Sequence, residues 1–197
     1  MSKGCSIALI IVAVLVVLAV IIGLQLKNAY NALVKIDEDV NNSWAQVQTQ
    51  LQRRYDLIPN LVETVKGYAS FEREVLIEVT RARASVGGAK TPDEAMKANN
   101  DLSNALSRLL VVVENYPQLK ANENFIKLQD ELSGTENRIA VERRRYNESV
   151  RIYNQKLRSF PTIFFAGIFG FEKRNYFEAP ESAQQAPKVD FNRPAGN

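Results

Sequence analysis

The chain carries 22 carboxylates and 25 cationic side chains among its 197 residues, with no histidine and a single cysteine. Carboxylate pairs can do acid–base chemistry, as in a glycosidase, where two carboxyl groups at a set separation flank the bond to be cleaved. No spacing here singles out such a pair. The absence of histidine removes Ser–His–Asp and Cys–His nucleophiles. With Cys5 as the lone thiol, metal sites built on His or Cys and disulfides within one chain are removed too. Gly87-Gly88 lacks the lysine and serine that would complete a phosphate-binding loop. No cofactor and no small-molecule substrate is legible, and an enzyme is not expected. The formal charge of +3 is too mild to argue for nucleic acid.

The densest run of charge is Arg143-Arg144-Arg145, with Arg138, Arg151, Lys156 and Arg158 around it. Glu136, Glu142 and Glu148 are interleaved at spacings that pair along a helix. A solvated, charge-laced face is the simpler account than a phosphate or anionic-lipid contact. Cys5 reads as an inert thiol, although a juxtamembrane cysteine can be acylated.

The elements behind these residues are helical. Ser6 to Leu24 is an uncharged apolar run of about 19 residues, roughly 28 Å as a helix and close to the hydrocarbon thickness of a bilayer. A signal peptide has a shorter apolar core and a small-x-small cleavage site, and neither is present. The run is read as a transmembrane anchor. Lys3 on one side faces Lys27 and Lys35 on the other, a balance that sets no orientation.

From Leu26 the apolar residues fall at Tyr30, Leu33, Ile36, Val40, Trp44, Val47, Leu51, Tyr55, Ile58, Leu61, Val65 and Tyr68. Their mean spacing is about 3.5, that of a coiled-coil seam, so Trp44 is expected to be buried. Pro59 removes one backbone bond and predicts a kink near Tyr55. A second helix reads from Phe71, capped by Ser70, to about Val86, where Gly87-Gly88 stops it. Thr91-Pro92-Asp93-Glu94 starts a third, which turns Ala95, Leu102, Ala105, Leu106, Leu109, Leu110 and Val113 inward before Pro117. The last helix reads from about Asn122 to Ser159.

The fold class is therefore all-α: an N-terminal transmembrane helix followed by a long antiparallel bundle with coiled-coil-like packing. Helix lengths favour three columns, the middle one broken at Gly87-Gly88, over four. The chain divides into an anchor (residues 1–26), a bundle (27–159), a phenylalanine-rich segment (160–177) and a tail without fixed structure (178–197).

Phe160 to Phe171 reads FPTIFFAGIFGF, too short to cross a bilayer. It either caps the core or offers an apolar surface to a protein partner or to lipid. Three columns would put it roughly 50–60 Å from the bilayer, where a second protomer or a partner would cover it. Four columns would return it to the lipid surface. On the three-column reading Phe164, Phe165, Phe169 and Phe171 are candidate assembly contacts.

The segments Asn28 to Glu72, Asn122 to Asn154 and Phe160 to Ala179, in that order after a leading span, resemble the bacterial LemA family. The resemblance implies an envelope protein with an N-terminal anchor and a helical domain, and it supplies no catalytic residues. The expected function is a non-enzymatic, single-pass scaffold of the bacterial plasma (inner) membrane that self-associates. The partners expected are the lipid bilayer, further copies of the chain and a membrane protein. An adaptor or regulator of a membrane enzyme such as a protease is the alternative.

Overall fold

A computed structural model describes residues 3–68 and 72–177, so the tail expected at 178–197 and the Ser70 cap lie outside the described residues. Five helices succeed one another: α1 (Lys3–Lys66), α2 (Arg73–Gly88), α3 (Pro92–Val113), the single turn α4 (Pro117–Lys120) and α5 (Glu123–Leu157). No strand occurs among the described residues.

Helix α1 does two jobs in one unbroken run of 64 residues, about 96 Å long. Its first part holds a stretch long and apolar enough to cross a membrane, none of it covered by the rest of the chain. The large apolar side chains from Leu9 to Leu24 are all exposed. Its second part is the spine of the bundle. Leu33, Val40, Val47, Leu51, Ile58, Leu61 and Val65 are buried along the expected seam.

The helix stays helical through Pro59. Proline has no N–H, so the Tyr55 carbonyl one turn earlier loses its donor. Arg83 on α2 supplies it: its Nε donates to the Tyr55 carbonyl at 3.1 Å, while its guanidinium lies 3.8 Å from the centre of the Tyr55 ring. Gly87 completes this contact. A Cβ there would come within 3.0 Å of the Tyr55 ring, so glycine lets the last turn of α2, which runs on to Gly88, lie this close to the aromatic.

The third helix starts as its sequence requires. Glu94 N–H donates to Thr91 Oγ1 at 3.2 Å, and Glu94 Oε2 accepts from Thr91 N–H at 3.3 Å, the reciprocal capping box. The expected inward residues are buried, except Leu110, which is 37% exposed.

The column count differs from the sequence expectation. Helices α2 and α3 do not line up as one broken column; they fold back on each other as a hairpin against the far half of α1. Arg83 and Gly87 bring the end of α2 beside Tyr55, while Ala95 and Met96 at the start of α3 share a core with Val47 and Leu51. Val113, at the end of α3, packs with Ile58 and Val65 in the core of the far half. Four columns result there. The second and third passes are separate because Gly87-Gly88 ends a helix that is already antiparallel to α1, and the three residues 89–91 suffice to reverse the chain.

Helix α5 then returns along α1 toward the membrane. Asn122 Oδ1 caps it by accepting from Phe125 N–H at 3.0 Å, beside Tyr68 at the far end of α1. The hydroxyls of Ser149 and Ser43 meet at 2.8 Å, which sets the antiparallel register.

A polar cluster sits at the middle of the core. Arg54 is 4% exposed, and its Nη1 donates to Asn99 Oδ1 at 2.9 Å, to Ser103 Oγ at 3.0 Å and to the Glu136 carboxylate. Burial pulls the Arg54 pKa below its ordinary value, and Glu136 pushes it back. One guanidinium thereby ties α1 to α3 and α5. Replacing Arg54 with alanine strips partners from buried Asn99 and is expected to cost about 3 kcal/mol. Arg83→Ala, which orphans one carbonyl and one ring contact, should cost about 1–2 kcal/mol. Chemical denaturation of the two variants beside the parent checks both magnitudes and their order.

Candidate functional site

The region that stands out is the C-terminal end of α5 together with residues 158–177. Leu157 closes the helix, the Phe160–Pro161 peptide is cis, and Thr162–Phe164 forms a short 3-10 turn. Backbone bonds then wind the segment on itself: Ala166 N–H to the Thr162 carbonyl at 2.9 Å, Phe169 N–H to Phe165 at 3.1 Å and Phe171 N–H to Ala166 at 3.0 Å. Gly170, at φ +77°, makes the reversal that side chains disfavour. The product is a compact foot with two unlike faces.

One face joins the bundle. Thr162, Phe165 and Ala166 are buried, and Phe169 and Phe171 set their ring edges against Tyr30 of α1, at centroid distances of 5.2 and 5.8 Å. The other face is apolar and uncovered. Phe160 is 80% and Ile168 82% exposed, with Phe164 and Ile163 beside them in the same state.

The four phenylalanines singled out from sequence thus divide. Phe165 is buried, Phe171 packs partly against the core, Phe169 lies on the rim, and Phe164 faces outward. Phe160, Ile163 and Ile168 of the exposed face were not singled out. With Phe164 they recur at helical spacing, 160, 163, 164 and 168, but spacing alone does not say which of the two faces turns outward.

The foot is not at the far end of the molecule, as three columns would have placed it. It touches Tyr30, six residues and about 9 Å beyond Leu24, because the fourth pass runs back toward the span.

From the foot an extended strap, residues 171–177, climbs back along α5. Asn154 holds its start, donating to the Arg174 carbonyl at 2.9 Å and accepting from Arg174 N–H at 3.0 Å. Asn147 holds its end in the same way, donating to the Phe177 carbonyl at 3.0 Å and accepting from its N–H at 2.8 Å. Seven helical residues rise about 10.5 Å, and three extended residues span about 10 Å, so two asparagines two turns apart grip residues three apart. Tyr153 adds a bond from its hydroxyl to the Glu172 carbonyl at 2.9 Å, and Arg174 pairs with Asp37 at 3.0 Å.

The strap ends by inserting Phe177 against Tyr146 and Trp44, at 4.5 and 5.6 Å. Trp44, expected to be buried, is only partly so. On this side Trp44 meets the short α2–α3 turn and the strap, which cover less of an indole than a helix would.

The basic helix face behaves as its spacing suggests. Arg145 pairs with Glu142 at 2.8 Å and Arg151 with Glu148 at 2.7 Å. No group of three or more His, Cys, Asp or Glu side chains that could hold a metal occurs among the described residues.

Residues 43–191 match the LemA family, so the matched part takes in most of the bundle, the foot and the strap. Magnetosome protein MamQ 2 of Paramagnetospirillum magneticum is 28% identical over 90% of this chain and 74% of its own length. Magnetosome protein MamQ of Magnetospirillum gryphiswaldense is 27% identical with the same coverage of each chain. Protein LemA of Metamycoplasma hominis is 26% identical over 77% of this chain and 69% of its own.

Removing either grip should loosen the strap. Asn154→Ala is expected to cost about 1–3 kcal/mol and Phe177→Ala about 3 kcal/mol. Both should shift the emission of Trp44, the sole tryptophan, to longer wavelength. Burial raises the phenol pKa of Tyr146 and of Tyr153, with Asp37 adding to the rise at Tyr153. Their contribution is therefore full below about pH 10 and lost as the pH climbs through the raised values. A denaturant midpoint that falls above about pH 10, and falls less in Tyr153→Phe, is the expected result.

Proposed function

The chain belongs to the LemA family, and from that membership and the way α1 joins span to bundle we propose a non-enzymatic, membrane-anchored scaffold that self-associates in the bacterial envelope. The observation that carries this reading is the continuity of α1. The segment suited to cross the bilayer and the spine of the folded domain are one helix, with no linker between them. A tethered enzyme gains from a flexible linker that lets it reach substrate. A rigidly mounted bundle is suited to holding surfaces at a set height above a membrane.

The chemistry supports the same reading. The buried guanidinium of Arg54 is neutralised by Glu136 and spent on joining helices. The one helix among the described residues that is long and apolar enough to cross a membrane supports single-pass insertion, and the plasma membrane is the membrane proposed. Self-association is the step that makes a mount into a scaffold, since α1 offers the same span in every copy.

The test is the size of the full-length protein, extracted in mild detergent and weighed by light scattering after gel filtration. A defined assembly of several copies is expected, and crosslinking in intact cells should give the same ladder. A lone protomer that co-purifies with a membrane enzyme would replace this reading with that of an adaptor.

A further inference from the structure

We propose that the exposed face of the foot, formed by Phe160, Ile163, Phe164 and Ile168, inserts into the headgroup–acyl boundary of the bilayer that α1 crosses, so that the bundle rests on the membrane at a second point. The proposal rests on reading Ser6 to Leu24 as the span.

Position argues for lipid as the occupant. The apolar run ends at Leu24, and Tyr30 stands about 9 Å beyond it. Headgroups add roughly 5–7 Å to each side of the hydrocarbon core, so the Tyr30 backbone stands only about 2–4 Å outside them, within reach of a side chain. Phe169 touches the Tyr30 ring, which fixes the foot at that same height. The register of α5 agrees. With Ser149 opposite Ser43, Leu157 falls about level with Lys35, and the chain beyond it is carried nearer to the span, to Phe169 against Tyr30.

The chemistry of the face agrees as well. Four large apolar side chains point away from the protein, while Thr162, Phe165 and Ala166 fix the opposite face to it. The surface is thus held rigidly outward. Lys156, Arg158 and Lys173 flank it in the sequence, and Lys27 lies between the span and Tyr30. Apolar residues edged by cations are the pattern of segments that lie in an anionic interface. A second copy could cover the same face only within the few ångströms left above the headgroups.

The test places a reporter in the foot of the full-length chain. In a Cys5→Ser background, Ile168→Cys is labelled with an environment-sensitive fluorophore and reconstituted into liposomes of phosphatidylcholine mixed with phosphatidylglycerol. Val111→Cys, exposed on α3 in the far half of the bundle, carries the same label as control. Lipids bearing a nitroxide near the headgroup should quench position 168 roughly threefold more than position 111, with blue-shifted emission. Phe160→Ser and Phe164→Ser together, both at exposed positions, should weaken that quenching about twofold while helicity is unchanged. Equal quenching at the two positions would overturn the proposal. So would a blue shift at position 168 that depends on protein concentration and not on the quencher, because a second copy would then cover the face. Flotation of the labelled chain with the liposomes reports the span separately; a chain that fails to float overturns the span reading and this proposal with it.

Discussion

An amphipathic helix in water is stable only where something covers its apolar stripe, and α1 carries such a stripe for some forty residues past the membrane. The rest of the chain is arranged to cover it. In the far half the α2–α3 hairpin and the start of α5 enclose Ile58, Leu61 and Val65. In the near half only α5 is long enough to return, and the strap takes the place of a further helix by driving Phe177 in beside Val47 and Tyr146. The antiparallel return of α5 is what brings both the strap and the foot to the membrane side.

Polar groups make this covering specific. A seam of interchangeable aliphatic residues would tolerate slippage by a turn. Arg54 forbids it, because its guanidinium finds Asn99, Ser103 and Glu136 in one register only. Arg83 mends the bond that Pro59 removes, and Asn147 and Asn154 fix an extended strap that no sheet supports. Each of these side chains acts far from its neighbours in sequence. Together they convert an apolar helix with an amphipathic extension into a body whose elements sit in one register along α1.

Much of this was legible in the sequence, and the reason is periodicity. The seam of α1, the Thr91–Glu94 cap and the inward residues of α3 follow from local spacing and capping chemistry, which do not depend on the partner. The column count was not legible. Helix lengths alone suit three columns as well as four, and the deciding contacts, Arg83 with Tyr55 and Gly87 beside the Tyr55 ring, join residues 28 and 32 positions apart. The foot was misplaced for the same reason, since its height depends on the number of passes. Its composition marked it out, and Phe160, Ile163, Phe164 and Ile168 recur at helical spacing, but which face turns outward is set by the packing of Thr162, Phe165 and Ala166 against the bundle. Asn147 and Asn154 left a trace in the sequence, as two amides seven apart on the same helix as Tyr146 and Tyr153. That trace means nothing until an extended strand lies beside it.

Whether the fourth pass returns to the base of the span is a matter of one distance, which spin labels can measure. Spin labels at Lys35→Cys and Arg158→Cys, in a Cys5→Ser background of the full-length protein, report the gap between the exit of α1 and the end of α5. Packed helices lie about 8–10 Å apart, so with label tethers a narrow distribution near 20 Å is expected by double electron–electron resonance. A distribution centred near 50 Å would put the end of α5 at the far end of the bundle and contradict the account.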